Sequence, residues 1–269
     1  MSCLVEVHHL RYAYPGGPEV LRDISFHLGH GERVGLVGPN GVGKTTLLLI
    51  LAGVIEQFSG DVSVAGCDLA TRAGRRSVHR KLGFVFQHTD DQLINATVHE
   101  DVAFGPLNLG LPPEEAQRRV AAAMASVGLG DNYRSRIPFH LSAGEKRRVA
   151  IAGVMAMQPE IVLMDEPTSD LDPRGRRELV RILAELPVTR IISSHNLEFV
   201  LETCDRVLLL DEGRLRADGP VRRVLADEAL MLQHGLEVPP SIPPSERAAA
   251  AVAGPLPLPH HSHEHHHHH

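Results

Sequence analysis

Tryptophan is absent from this sequence of 269 residues, and aromatic side chains make up only 4% of it. A surplus of basic residues is also missing, because the formal net charge at pH 7 is −6. Proteins that bind nucleic acids rely on positive surface charge and on aromatic side chains that stack with bases. We therefore expect no nucleic-acid partner.

Cysteine is scarce as well, and long apolar runs are missing. Cys3, Cys67 and Cys204 are odd in number and far apart, which is typical of reduced thiols in a cytosolic protein. The first residues, MSCLVEVHHLRYAY, lack the basic start and apolar centre of a signal peptide. The longest apolar runs, such as Thr46–Val54, are too short to cross a bilayer. A membrane role would therefore be peripheral, through a partner.

Strand patterns are frequent in the remainder of the chain. Apolar and polar residues alternate in LVEVHHLRYAY and VLRDISFHLG near the N-terminus, which predicts strands. Continuous apolar runs are typical of buried parallel strands, and they occur at Val34–Gly38, Leu82–Gln87, Ile161–Asp165 and Arg190–His195. A helix over Lys44–Val54 follows the first of these runs.

A helical insertion interrupts the strand-rich pattern over about residues 88–158. The segment PPEEAQRRVAAAMASVGLG begins with proline and two glutamates and ends in glycine, as amphipathic helices do. Its apolar residues lie on one helical face: Ala116, Val120, Ala123, Met124 and Val127. The segment LSAGEKRRVAIAGVMAM continues the insertion. After about Gly235 the composition shifts to proline, alanine and histidine, which predicts a loosely ordered extension over residues 235–269.

The segment GPNGVGKTT matches the phosphate-loop pattern G-x-x-x-x-G-K-[ST] between a predicted strand and a predicted helix. Lys44 would reach the β- and γ-phosphates of a nucleotide, and the hydroxyl of Thr45 would hold Mg²⁺. A glycine-rich turn with a surface lysine is the alternative, but motif and context agree against it. We predict that the nucleotide contacts Gly38, Pro39, Asn40, Gly41, Val42, Gly43, Lys44, Thr45 and Thr46.

Polar residues end the other buried strands. Asp165 ends IVLMD, where its carboxylate would hold Mg²⁺ beside the phosphate loop, and Glu166 would polarise the attacking water. Gln87 ends LGFVFQ, and its amide is placed to contact Mg²⁺ or this water. His195 ends RIISSH. Taken alone, Gln87 fits a surface residue better, and His195 fits a structural histidine equally well.

The ordered set GPNGVGKTT, Gln87, LSAGEKRR, IVLMDEP, SDLD and His195 resembles the ATP-binding-cassette ATPases over about residues 4–230. The resemblance implies an α/β fold with a P-loop NTPase core, an antiparallel β subdomain and a helical subdomain. It implies hydrolysis of ATP with Mg²⁺, and stacking of Tyr14, more than of Tyr12, on adenine. It also implies that Gln87 couples the site to a membrane partner and that His195 contacts the γ-phosphate.

The segment LSAGEKRR begins like a helix N-terminus, and helix N-termini bind anions. Subunits of the family pair head to tail, as homodimers or heterodimers. The resemblance therefore implies that Ser142 and Gly144 face the γ-phosphate bound by the partner, and that Asp172 crosses the dimer interface. The family usually has glycine where Ala143 stands, and often glutamine where Glu145 stands. We expect these departures to reduce or retune activity.

Two stretches are similar to the ATPases of energy-coupling-factor importers. They are DDQLINATVHEDVAFGPLNLGLP and LSAGEKRRVAIAGVMAMQPEIVLMDEP, and the second is especially similar to the cobalt and nickel branch. In that family a transmembrane coupling protein and a substrate-binding membrane protein complete the transporter, with the ATPases at the cytoplasmic face of the membrane. Acidic residues would face basic coupling helices there: Asp90, Asp91, Glu100 and Asp101. A solvated charged face is the alternative interpretation.

The sequence thus predicts an ABC ATPase domain over residues 1–234 that powers import of cobalt or nickel. A vitamin or other small-solute importer would use the same ATPase. A soluble ATPase of DNA repair or translation is disfavoured, since a coiled-coil insertion, a second cassette and a basic surface are lacking. The histidine-rich tail at 260–269 is either a native metal-binding segment or an expression tag. A metal-buffering protein is therefore a further alternative.

Overall fold

The computed structural model describes residues 3–253. Its strands are β1 (Val5–Ala13), β2 (Glu19–Leu28), β3 (Arg33–Val37), β4 (Ser59–Val64), β5 (Cys67–Asp68), β6 (Leu82–Val85), β7 (Ile161–Asp165), β8 (Thr189–Ser193), β9 (Arg206–Asp211) and β10 (Arg214–Pro220). Its helices are α1 (Lys44–Leu51), α2 (Arg72–Val78), α3 (Val98–Asn108), α4 (Pro113–Ser126), α5 (Ala143–Ala156), α6 (Pro173–Glu185), α7 (Leu197–Thr203), α8 (Val221–Leu225), α9 (Glu228–Gln233) and α10 (Pro244–Ala253).

Two sheets organise the chain. The antiparallel sheet near the N-terminus has the strand order β2-β1-β4-β5, and the core sheet has the order β10-β9-β3-β8-β7-β6. In the core sheet all neighbouring strands are parallel except β10, which runs antiparallel to β9 at the edge. The combination of a mostly parallel core with an antiparallel subdomain confirms the predicted fold class.

The core strands are apolar throughout because both faces of the sheet are covered. All five residues of β7 are buried, and so are all five of β8. Ile191 packs in one hydrophobic cluster with α1 and the antiparallel sheet, whereas its neighbour Ile192 packs in a second cluster with α5, α6 and α7. Parallel pairing brings the carboxyl ends of β3, β7 and β8 to one edge, where the loops with the predicted site residues begin.

Three helices, α3, α4 and α5, lie between β6 and β7 and pack on one another, as expected for the helical insertion. The predicted apolar face of α4 is buried against its neighbours: Ala116, Val120, Ala123, Met124 and Val127. Within residues 3–253, every helix is too short or too polar to cross a bilayer.

The C-terminal extension differs from the prediction of a loosely ordered segment. Ile242 is fully buried, and α10 follows it. Ser241 donates to both carboxylate oxygens of Glu198, from its N–H at 2.9 Å and its hydroxyl at 2.6 Å. Arg222 forms an ion pair with Glu246 at 3.2 Å. Sequence composition could not reveal these long-range contacts, which attach residues 241–246 to α7 and α8. The histidine-rich tail lies outside the described residues.

Candidate active site

The phosphate loop between β3 and α1 requires glycine at specific points. Gly38 has φ +150°, and a Cβ there would lie 2.0 Å from the carbonyl oxygen of Leu210. Gly43 has φ +106°, and a Cβ there would lie 2.9 Å from a methyl of Leu21. Because Gly43 also has no side chain to cap α1, the first N–H groups of this helix remain available to an anion. The loop therefore has the form of a phosphate cradle.

Lys44 is buried against this loop. Its Nζ donates to the carbonyl oxygens of Gly38 at 2.8 Å and Pro39 at 2.9 Å. Burial lowers the pKa of Lys44, whereas the negative charges of Glu166 and Asp165 act in the opposite direction. A buried ammonium group beside a phosphate cradle is placed to neutralise phosphate charge, which supports the predicted role.

Thr45 and Asp165 meet at the edge of the core sheet. Thr45 Oγ1 donates to Asp165 Oδ2 at 2.8 Å, and the Ser193 hydroxyl donates to Asp165 Oδ1 at 2.5 Å. Hydroxyl and carboxylate oxygens are the hard ligands that Mg²⁺ prefers, usually with several waters retained, so Thr45 and Asp165 fit this ion. Within the described part of the chain, there is no group of three or more His, Cys, Asp or Glu side chains that could hold a metal ion.

Ser193 is buried beside this site, and the sequence alone gives it no role. Besides Asp165, its hydroxyl contacts Glu166, whose N–H donates to Ser193 Oγ at 3.1 Å. The signal lay in the strand pairing, because β7 and β8 are parallel with Asp165 opposite Ser193. In the sequence alone, where this register is not visible, Ser193 is simply a serine two positions before His195.

Glu166 and His195 form a close pair. Glu166 Oε2 lies 2.8 Å from His195 Nδ1 and accepts the His195 N–H at 3.2 Å. Glu166 is a non-glycine residue with φ +44°, a left-handed conformation that costs about 1–3 kcal/mol and is concentrated at functional sites. Its side chain is 11% exposed, whereas that of His195 is 62% exposed. The backbone thus directs a largely enclosed carboxylate toward an accessible imidazole.

A cleft of about 470 Å³ brings most of the predicted residues together. It is lined by Tyr14, Val20, Asn40, Gly41, Gly43, Lys44, Thr45, Thr46, Gln87, Asp165, Glu166 and His195. The sequence predicts that Gln87 and His195 are the last residues of their strands. In the structure, each lies two residues beyond the end of its strand, in the following loop. This position still directs both residues to the cleft.

The choice between the two tyrosines has a structural basis. Tyr14 is 45% exposed, whereas Tyr12 is 9% exposed and belongs to the core. The hydroxyl of Tyr14 lies 3.1 Å from Thr46 Oγ1, and its ring meets Tyr12 edge to face with 4.9 Å between centroids. Tyr14 is therefore the ring that is available at the cleft.

Ser142 and Gly144 lie outside the cleft that contains the phosphate loop. They line a second cleft of about 510 Å³ with Ala143, Asp170, Asp172 and neighbouring residues. Among the described residues, the two clefts have no lining residue in common. Asp172 caps α6 by accepting the Gly175 N–H at 2.7 Å. One chain thus presents the two sets of predicted phosphate-binding residues in two separate clefts.

Glu145 and Ser142 cap helix α5 reciprocally. Ser142 Oγ accepts the Glu145 N–H at 3.3 Å, while Glu145 Oε2 accepts the N–H and the hydroxyl of Ser142, both at 2.8 Å. Glu145 Oε1 accepts the Tyr133 hydroxyl at 2.8 Å. The hydrogen bond from the Ser142 backbone is the main cause that lowers the pKa of Glu145. Ala143, the first residue of α5, is not among the residues with positive φ, so its methyl is accommodated.

The acidic residues after Gln87 differ in their availability to a partner. Asp101 is buried, and its Oδ1 accepts the N–H of Ile94 at 3.0 Å, the N–H of Asn95 at 3.0 Å and the Asn95 side-chain amide at 2.9 Å. Asp101 thus serves the local fold, and the expectation that it faces a coupling helix is wrong. Asp90 is 72% exposed although it accepts from Lys146 at 2.6 Å.

The sequence is similar to curated transport proteins. The ABC transporter family matches residues 21–169. A putative ABC transporter ATP-binding protein of Geobacter sulfurreducens is 48% identical over 89% of this chain and 95% of its own length. The energy-coupling factor transporter ATP-binding protein EcfA of Methanothermobacter thermautotrophicus is 44% identical over 88% of this chain and 77% of its own length.

Solved structures agree with this similarity. CbiO1 of Clostridium perfringens, described as part of the ABC transporter complex CbiONQ, has a TM-score of 0.77 and 35% identity, covering 87% of this chain and 94% of its own. A dimeric ATP-binding cassette in a post-hydrolysis state, bound to ADP and phosphate, has a TM-score of 0.72 and 25% identity, covering 81% of this chain and 98% of its own. Together with the phosphate cradle and the Glu166 pair, these findings show that the chain belongs to the ABC transporter family of ATP-hydrolysing transport ATPases.

Proposed function

We propose that this ATPase works at the cytoplasmic face of the membrane in an energy-coupling-factor importer that takes up a transition metal ion, cobalt or nickel. Its partners are a transmembrane coupling protein and a substrate-binding membrane protein. The observation that carries the proposal is the similarity to EcfA and to CbiO1 over nearly the whole chain. The stretch after Gln87 adds the resemblance to energy-coupling-factor ATPases, and the LSAGEKRR segment adds the resemblance to their cobalt and nickel branch.

The phosphate cradle and the residues beside it provide the nucleotide site. Backbone N–H groups of the Gly38–Thr46 loop, in which Pro39 alone lacks one, hold the phosphates, Lys44 neutralises their charge, and Tyr14 stacks on adenine. Thr45, Asp165 and Gln87 are the residues that would hold Mg²⁺. Such an ion would supply positive charge to neutralise the phosphate oxygens during hydrolysis.

Glu166 is the group that orients and polarises the attacking water. Its carboxylate is held by the His195 N–H and lies beside the imidazole, so it is directed into the cleft. His195 then contacts the γ-phosphate, and Ser193 fixes Asp165 and Glu166 relative to each other. Hydrolysis depends mainly on positioning and electrostatics, as is general for phosphoryl transfer.

A complete site requires two chains, paired as a homodimer or with a related ATPase. Ser142 and Gly144 lie in a cleft separate from the phosphate loop, so they serve the nucleotide of a partner that is oriented head to tail. A solved relative of this fold is dimeric with ADP and phosphate bound, which supports this arrangement. Closure around ATP and opening after hydrolysis then drive the membrane partners.

Glu166→Gln tests the catalytic assignment. Because a general base typically contributes about 10²–10⁴-fold, we expect ATP hydrolysis to fall at least about 100-fold while ATP binding remains. The measurements are phosphate release and binding of a fluorescent ATP analogue. Hydrolysis at the parental rate would exclude Glu166 as the base.

Uptake by the assembled transporter tests the substrate. The complex is purified from membranes with the tagged ATPase, reconstituted in vesicles and supplied with radiolabelled cobalt or nickel, with Glu166→Gln as the control. ATP-dependent accumulation of either metal supports the proposal, whereas uptake of a vitamin in its place selects the small-solute alternative. Isolation of a soluble complex without membrane proteins would contradict transport altogether.

Deleting residues 260–269 separates transport from metal buffering. We expect uptake by the reconstituted complex to remain, because none of the residues assigned to the nucleotide site belongs to this tail. Loss of metal binding together with unchanged uptake would exclude metal buffering as the main function.

A further inference from the structure

The loop that follows β6 is attached to helix α5 at three successive points. Arg147 on α5 donates from Nη1 to the carbonyl oxygen of Phe86 at 2.5 Å and from Nη2 to that of Gln87 at 2.7 Å. Lys146 Nζ donates to Asp90 at 2.6 Å. The side-chain amide of Gln92 donates to the Ala150 carbonyl oxygen at 3.3 Å. The loop carrying Gln87 and the helix therefore form one unit.

Arg147 is the buried element of this connection. It is 3% exposed, and burial lowers its pKa to about 10, with the charge of Asp170 acting in the opposite direction. It therefore remains charged at neutral pH. A planar guanidinium group donates to two successive carbonyl groups from two separate nitrogens held in one fixed plane, whereas a lysine ammonium group donates from a single nitrogen on a flexible stem. The guanidinium thus fixes the backbone at residues 86–87 relative to α5.

The two ends of this unit belong to different sites. The Gln87 side chain lines the cleft with Lys44 and Glu166, whereas Ser142, which caps the start of α5, lines the second cleft. Arg147 lies five positions after Ser142, a helical rise of about 7.5 Å. Gln87 and Ser142 are therefore connected through the Arg147 hydrogen bonds and one short helical segment.

We propose that Arg147 is a positioning residue that fixes Gln87 of the chain's own nucleotide site to the helix presenting Ser142 to the partner's site. Occupancy of one site is thereby transmitted to the other. The inference rests on the proposed function, since it requires that Ser142 serves the nucleotide of a partner.

Two double-mutant cycles test this role by ATP hydrolysis. Arg147→Met is combined with Gln87→Ala in one cycle and with Ser142→Ala in the other. We expect Arg147→Met to lower kcat about 10-fold and to change KM for ATP less than two-fold. Because residues that act as a unit have non-additive effects, each double variant should stay within about three-fold of its slower single variant.

Arg190 provides a matched control. It is 1% exposed, and it donates from its two terminal nitrogens to the carbonyl oxygens of Leu186 at 3.2 Å and Thr203 at 3.1 Å. In both arginines Nε is buried with no partner among the described residues. Arg190→Met thus removes a similar buried contact without touching the Gln87 loop. We expect a similar decrease in Tm, with effects on kcat that multiply with those of Gln87→Ala and Ser142→Ala.

Arg147→Lys keeps the proposal testable if Arg147→Met does not fold. We expect it to fold and bind ATP, with kcat between those of the parent and Arg147→Met and with the same non-additivity. The proposal would be overturned if the decrease in kcat caused by an Arg147 variant multiplies with the decrease caused by Gln87→Ala or Ser142→Ala. If Glu166→Gln retains parental hydrolysis, the proposed function fails; if it abolishes hydrolysis while the cycles are additive, only the role of Arg147 fails.

Discussion

Replacing Glu145 by glutamine removes one negative charge while keeping the size of the side chain. In the parent chain the carboxylate accepts from the N–H and hydroxyl of Ser142 and from the Tyr133 hydroxyl, with Arg136 at 3.5 Å. The glutamine oxygen is able to keep the Ser142 contacts, and its NH₂ group then faces Tyr133 and Arg136. The change therefore removes the charge assistance and places the NH₂ group opposite the Arg136 donor, while the Tyr133 hydroxyl turns from donor to acceptor.

The expected loss of stability follows from these contacts. A hydrogen bond to a charged group contributes about 1.5–3 kcal/mol, compared with about 0.5–1.5 kcal/mol for a neutral one. A carboxylate in the first turn of a helix adds about 0.3–1 kcal/mol through the helix dipole. The pair with Arg136 is partly exposed and contributes little. Since the contacts share one charge, we take a single charged-to-neutral difference of about 1–1.5 kcal/mol and add the dipole contribution, so Glu145→Gln should lower the free energy of unfolding at pH 7 by about 1.3–2.5 kcal/mol.

Urea unfolding of both chains at several pH values checks this estimate. The contacts lower the folded-state pKa of Glu145. Its contribution is therefore fully present above the unfolded pKa of about 4.3 and is lost as the pH falls through the folded pKa. The difference between the two chains should be constant from pH 7 to pH 5 and decrease at lower pH. Equal stability at pH 7, or a difference that grows on acidification, would refute the reasoning.

Three further substitutions test other parts of the site. Ser193→Ala should raise the Mg²⁺ concentration for half-maximal hydrolysis about 10-fold, because partners of metal ligands typically contribute 10–100-fold; an unchanged Mg²⁺ titration would contradict this. Tyr14→Ala should weaken ATP binding by about 1–3 kcal/mol, measured by calorimetry, whereas equal binding of ATP and of its base-free triphosphate analogue by the parent would exclude stacking. Ala143→Gly should leave ATP affinity of the isolated subunit nearly unchanged while altering dimer-dependent hydrolysis, and a large change in monomer affinity would contradict the assignment of this segment.

Local motifs were sufficient to predict the phosphate loop and the buried strand that ends at Asp165. The pattern at Gly38–Thr46 depends only on neighbouring residues, and the apolar run before Asp165 is that of a strand buried on both faces. The structure places Lys44, Asp165 and Glu166 in one cleft because parallel strands end at the same edge of a sheet.

Contacts between distant segments could not be predicted in the same way. Ser193 acquires its position from the register of β7 and β8, and Arg147 from the packing of α5 on the loop after β6. The charge of Asp101 indicated a solvated or partner-facing residue, yet three N–H groups surround it. The proline- and alanine-rich composition of the extension likewise gave no sign of the buried Ile242.

The dependence of ATP hydrolysis on chain concentration tests the central claim, that a complete site requires two chains. The isolated chain is assayed over a wide concentration range with saturating ATP and Mg²⁺, and sedimentation under the same conditions measures the fraction of dimer. We predict that the rate per chain rises in proportion to the dimer fraction and that Glu166→Gln abolishes it. A chain that sediments as a monomer and hydrolyses ATP at the full rate would contradict the account.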